Sequence, residues 1–245
     1  MVWAVTSPNE FGQFFPCGDY PELEARLAEY YTREMPADEK VDLPTKVDYN
    51  SQVFHKFTNE IGRPIPGSDR ILPPLSEHEW PREFQAKRRI GTLGSLFQTV
   101  NQVLTVDEKL KAVIEGIEPG AHQFRPVVLR QPNGEIVDGL YLTLVIGTFL
   151  DSFVPDAETE GELWTWATRR DASKNYVRTG HYLCSADSRE DFAGLAFSRA
   201  AFGHAHLWRE PKLSRSLLFL SDELRDAIKA SGLKIPAHFQ AKEVA

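Results

Sequence analysis

The stretch that decides the fold is HQFRPVVLRQPNGEIVDGLYLTLVIGTFLDSF, residues 122–153. FRPVVLR (124–130) and IVDGLYLTLVIG (136–147) are rich in β-branched and apolar residues, and QPNGE (131–135) lies between them. Two such runs around an Asn-Gly pair predict a β-hairpin, with Asn133-Gly134 supplying positive φ angles at the turn. Gly147 interrupts the apolar run at strand length, far short of the ~20 residues that cross a bilayer.

Upstream of this hairpin the apolar period is helical. DYPELEARLAEYYTREM (19–35) places Leu23, Leu27, Tyr30 and Tyr31 on one face, with Asp19 as cap and Pro21 in the first turn. GSLFQTVNQVL (94–104) reads as a second helix. TVDEKLKAVIEGI (105–117) reads as a third, with a Thr105-to-Glu108 capping-box spacing and Leu110, Val113 and Ile114 on one side. Residues 1–18 read as an aromatic, loop-like opening. Residues 36–81 are rich in Pro and charge, and GRPIPGSDRILPPL (62–75) is expected as an ordered loop packed down by its isoleucines and leucines.

Downstream, ELWTWAT (162–168), AHLWRE (205–210) and SLLFL (216–220) read as strands. SDELRDAIKASG (221–232) reads as a helix capped by Ser221 and stopped by Gly232. The expectation is an α+β fold: N-terminal helices, then a mostly antiparallel sheet with a C-terminal helix packed on it. One domain, 1–245, is expected to hold it all, with a variable N-terminal part over about 1–118 and a family-like core over about 119–245.

Charge is unevenly placed. The chain carries −7 overall, and residues 1–80 hold 14 acids against 7 bases. A second acidic run, DSFVPDAETEGE (151–162), has five acids and no base. A surface of this sign disfavours nucleic acid and suits a basic protein partner, because complementary fields speed encounter. Two cysteines are too few for a disulfide scaffold, and the start has no basic, apolar leader, so a reducing cytosol is expected. No membrane partner is implied.

Several motifs could carry chemistry. GHAHLWRE (203–210) puts His204 and His206 at i and i+2, the same face of a strand, where both could reach one metal ion. A hydrolytic zinc site needs a third ligand, and His55, His78, His122, His181 and His238 are scattered. Cys184 with His181 and Asp187 nearby lacks an orienting acid at a recognisable spacing, and a lone cysteine usually packs as a small hydrophobe. KRRIGTLGS (87–95) gathers Arg88 and Arg89 beside Gly91 and Gly94, but without a P-loop or Rossmann spacing it reads as a junction opening the next helix. Trp164, Trp166 and Trp208 read as core before ligand platform. The residues thus assign no catalytic group and no cofactor. A metal-dependent hydrolase using His204 and His206, or a small-ligand-binding regulatory domain, stands as the alternative.

The hairpin sequence resembles that of a bacterial family once catalogued as a domain of unknown function, described as the eleventh immunity family of polymorphic toxin systems. The matching positions are Pro126, Val127, Leu129, Tyr141, Val145 and Asp151. The closing segment HLWREPKLSRSLLFLSDELRDAIKASGLKIPAHFQ is similar too, through Leu207, Trp208, Arg209, Phe219, Ser221, Leu224 and Leu233. Leu142-Thr143 and Ile235-Pro236 depart from it. Most matched residues are of packing or capping type, so they speak for the fold. The resemblance implies a cytosolic immunity protein that neutralises a cognate toxin domain, encoded nearby, by stoichiometric binding. The contact surface expected from charge comprises Glu22, Glu24, Glu29, Asp38 and Glu39, with Asp156, Glu158 and Glu160.

Overall fold

A computed structural model describes residues 1–6, 14–65, 69–171, 173–186, 188–213 and 217–245. The first element contradicts the loop-like opening. β1 (Val2–Val5) is a strand with Val2 and Ala4 fully buried, and it lies in the middle of a sheet. β2 (Gly18–Asp19) precedes α1 (Pro21–Arg33), which buries Leu23 and Leu27 as its periodicity predicts. Asp19 does not cap this helix: it sits in β2 and pairs with Lys87 at 2.7 Å, while Tyr20 occupies the cap position without a side-chain bond.

The Pro-rich span is more ordered than its composition suggests. It holds α2 (Glu39–Asp42) and α3 (Lys46–His55). Thr45 and Asp48 close a reciprocal capping box on α3, satisfying donors that a helix start leaves orphaned. A 3-10 turn, Glu77–Glu79, then leads into β3 (Glu83–Ala86).

The helix expected over 94–104 is instead a hairpin, β4 (Leu96–Gln98) and β5 (Leu104–Asp107). Asn101 and Gln102 both take left-handed φ, 59° and 61°, the backbone of a tight mirror-image turn. The next helix, α4 (Glu108–Ile117), therefore starts later: Asp107 caps it by accepting from the Leu110 N–H at 2.7 Å, and Thr105 lies inside β5. β6 (Gln123–Arg130) and β7 (Tyr141–Val145) form the expected antiparallel hairpin, Val127 facing Tyr141. Within its turn only Gly134 takes positive φ, with its N–H on the Gln131 carbonyl, so Asn133 has an ordinary backbone.

β8 (Phe153–Val154) leads to a long ribbon of β9 (Trp164–Arg170) and β10 (Tyr176–Cys184). There follow α5 (Arg189–Gly194), β11 (Ala196–Ser198), α6 (Arg199–Phe202), β12 (Leu207–Arg209) and β13 (Leu218–Ser221). α7 (Asp222–Ala230) is capped by Ser221 on the Leu224 N–H, and Gly232 takes φ 64° after its end. β14 (His238–Val244), absent from the sequence expectation, finishes the chain.

Among the described residues the strands form two six-stranded sheets and the β9–β10 ribbon, in place of one sheet. One sheet runs β2-β3-β6-β7-β5-β4, the other β12-β13-β1-β14-β11-β8. Between the named strands of the described residues, pairing is antiparallel except β3 with β6 and β11 with β14. Strand alternation assigns each sheet face to a different core. Leu104, Val106, Leu142 and Leu144 from the first sheet meet Val5, Leu218 and Leu220 from the second around α4 and α7. The far face of the first sheet packs on α1 and α3 through Phe84, Phe97 and Val127. The far face of the second packs on the ribbon through Phe197, Phe219, Trp208, Trp164 and Tyr182. The α1–α3 layer and the β9–β10 ribbon are thus opposite outer layers of one stack.

Candidate partner-binding surfaces

α1 turns its apolar stripe inward, so its acids must face outward. Glu22, Glu24 and Glu29 are exposed, and Asp38 and Glu39 at the start of α2 are exposed beyond them. Arg26 reaches Glu22 at 3.7 Å and Arg33 reaches Glu29 at 2.6 Å, one helical turn apart. Over residues 19–48 nine acids outnumber four bases. Apolar side chains stud the same region: Val41 is 78% exposed, Val47 68% and, on the neighbouring turn, Ile71 59%. Arg70 donates to the Asp42 carbonyl and Tyr31 Oη to the Leu43 carbonyl, which ties α1, α2 and the 69–72 segment together.

A buried ionic frame supports this surface. Lys56, just past α3, and Glu79, in the 3-10 turn, are 3% and 2% exposed. Lys56 Nζ lies 2.6 and 2.7 Å from the two Glu79 oxygens. Glu79 also accepts from the Tyr49 hydroxyl of α3 and from the N–H of Ser76, which precedes the turn. Tyr49 Oη lies 2.7 Å from His78 Nε2, and Tyr30 of α1 stacks on His78 with centroids 3.9 Å apart. Burial holds His78 below its ordinary pKa; burial, then the Glu79 charge, pushes the Tyr49 phenol up. Arg26 completes the frame by donating to the carbonyls of His78 and Trp80. Neither Lys56 nor Glu79 announced itself in the sequence; a lysine and a glutamate 23 residues apart carry no local signal.

The second acidic group lies elsewhere. Asp156, Glu158 and Glu160 surround a 3-10 turn, Ala157–Thr159, that Trp164 Nε1 holds through the Asp156 carbonyl at 3.1 Å. That tryptophan belongs to the core beneath the ribbon. The structure therefore sets these three acids on the layer opposite α1, and the two acidic groups do not form one continuous face.

The histidine pair does not converge. Gly203, at φ 50°, turns the chain after α6, and β12 starts only at Leu207, so the same-face geometry of a strand does not apply to residues 204 and 206. His204 is exposed, whereas the His206 ring lies 2.8 Å from Ser221 Oγ. Among the described residues no three His, Cys, Asp or Glu side chains are grouped to hold a metal ion. The backbone N–H groups of His206 and Leu207 instead donate to Glu118, at 2.8 and 2.9 Å, and His122 Nε2 lies 3.1 Å from the same carboxylate. Burial raises the Glu118 pKa, but these bonds outweigh it and hold the group below its usual range. Glu118 thereby latches the end of α4 to β12.

Cys184 is buried in the core beneath the ribbon, and the His181 ring turns to the Thr179 carbonyl at 3.0 Å. Asp187 lies outside the described residues. Arg88 and Arg89 are exposed, and Gln131 straps their loop by bonding both the N–H and the carbonyl of Ile90. The segment opens β4, not a helix; a Cβ on Gly94 would collide with Phe14, so its glycine serves close packing. Trp164 and Trp208 are buried and Trp166 partly so.

No curated protein matches the chain. The Immunity protein family (Imm11) matches it over residues 29–152, half its length, from the end of α1 through the acidic face, the ionic frame and the β6–β7 hairpin. The closing segment 207–241 lies beyond the matched residues. With this architecture and that match, the chain belongs to the Immunity protein family (Imm11).

Proposed function

We propose that the protein neutralises a toxin domain encoded nearby by direct, stoichiometric binding in the cytoplasm, without turnover. The observation that carries this reading is the acidic face of α1 and α2. It lies largely within the family-matched residues, exposes Val41 and Val47 among its carboxylates, and stands on a buried frame that fixes its geometry. Rigid apolar side chains ringed by charge suit a protein interface: the apolar centre supplies affinity and the charges supply rate and register. The occupant would be a basic surface of the toxin. Substituting Glu29→Lys, Asp38→Lys and Glu39→Lys together should lower the association rate with the purified toxin domain by tenfold or more and flatten its salt dependence. Unchanged rates in the folded variant would exclude this face.

A further inference from the structure

The β9–β10 ribbon is a basic island on an acidic protein. Between residues 165 and 180 stand Arg169, Arg170, Lys174 and Arg178 against Asp171, a net +3 in a chain of −7. From Thr168 to Gly180 every described residue except Asp171 and Thr179 is exposed. The base of the ribbon is fixed by Trp164, Tyr182 and Cys184 in the core, so the distal half is carried on a rigid root.

Cross-strand register orders this half. Arg170 faces Tyr176 and Thr168 faces Arg178, which puts Trp166, Arg170, Tyr176 and Arg178 on one side of the ribbon. The Arg178 guanidinium lies 4.3 Å from the Trp166 ring centre, and Arg170 lies 5.1 Å over Tyr176 and donates to its hydroxyl. Stacking on rings holds these cations in place, reducing the entropy lost when they pair. Tyr176, 68% exposed, adds an apolar surface beside them.

We infer that the ribbon docks on the acidic α1–α2 face of a second copy of this chain. The argument is charge complementarity with a geometric constraint. The ribbon carries +3 and residues 19–48 carry −5, and both surfaces expose apolar side chains. They belong to opposite outer layers, so they cannot meet within one chain and can meet only between copies. The contact is head-to-tail, and it propagates into a ring or an open array. The whole-chain charge of −7 opposes association at long range, so the local attraction decides only where the two patches face each other. This inference goes beyond the toxin-binding reading and is tested without the toxin; the two occupants would share the α1–α2 face, so toxin and second copy exclude each other there.

The test is sedimentation of the full chain at about 0.01 M salt, where the screening length is about 30 Å, and at about 1 M, where it is about 3 Å. Wild-type protein should form species larger than a monomer in the first condition and dissociate in the second. Two charge-neutralising variants, R169Q/R170Q/R178Q and E22Q/E24Q/E29Q, should each associate at least tenfold more weakly. Each retains one intact patch, so mixing them in equal amounts should restore a complex that stops at two chains. That recovery also shows both variants folded. A monomeric wild type at low salt overturns the inference and leaves the ribbon to an acidic surface on another protein. Variants that still associate alone, or a mixture that stays monomeric, overturn it as well.

Discussion

Replacing Lys56 by methionine isolates the strongest energetic claim made for the α1–α3 layer. Both charges of the Lys56–Glu79 pair are almost wholly buried, and Lys56 supplies two of the four hydrogen bonds that reach the Glu79 carboxylate. Methionine fills nearly the same space, so packing is largely kept while Glu79 is left charged and half-satisfied. Removing one partner of a buried pair costs about 3–5 kcal/mol. For a chain of this size each kcal/mol shifts the melting temperature by about 2–4 °C, so a fall of roughly 6–20 °C is expected. The double variant Lys56→Met/Glu79→Gln removes the stranded charge yet keeps an amide oxygen for the Tyr49 hydroxyl or the Ser76 N–H. It should therefore be more stable than Lys56→Met alone. Urea denaturation of wild type, both single variants and the double variant yields the coupling energy directly. A loss below about 1 kcal/mol for Lys56→Met, or strict additivity in the double variant, would refute the claim that this pair frames the face.

Glu210 makes stability depend on pH in an unusual direction. Burial pushes its carboxyl up to about 7 from 4.5, against the bonds it accepts from Ser152, Phe153 and Trp208. A raised acid holds its proton longer in the folded state, so its contribution is fully present below about pH 4.5 and is lost as pH rises through about 7. At about 1.4 kcal/mol per pKa unit the loss is about 3 kcal/mol, and Glu210→Gln should gain on wild type between pH 5 and 8 in urea midpoints. A constant difference across that range would contradict the assignment. Asp107→Ala should cost about 1 kcal/mol as a lost helix cap. Thr105→Val should cost nothing or stabilise, since the buried Thr105 hydroxyl has no hydrogen-bond partner among the described residues; a larger loss at Thr105 than at Asp107 would return the cap to Thr105.

What the sequence displayed were elements with one covered face. α1, α7 and the β6–β7 hairpin each bury one stripe or follow a strong turn signal, and all lie where their patterns put them. The elements it hid are covered on both faces or scarcely apolar. Leu96 and Phe97 point to opposite sides of their sheet into different cores, which erases strand alternation and leaves a spacing that a helix also satisfies. Their turn uses Asn101-Gln102, lacking the glycine that marks such turns. β14 buries only Ala241 outright, so nothing in HFQAKEV stands out as a strand near the middle of a sheet. α3 announces itself only through Thr45 and Asp48, amid prolines. For the candidate site, the acids of α1 and α2 were readable as charge. The separation of Asp156, Glu158 and Glu160 from them depends on which sheet each segment joins. The exposed valines are visible only once the inward faces are known.

Neutralisation by binding is tested most directly by co-expressing this protein with the C-terminal domain of the toxin proposed to be encoded nearby and then measuring growth and the dissociation constant of the purified pair. Restored growth with a tight 1:1 complex, weakened by Glu29→Lys, Asp38→Lys and Glu39→Lys together, is the predicted result. Toxicity that persists beside a folded, abundant immunity protein, or rescue without any complex between the two, would contradict it.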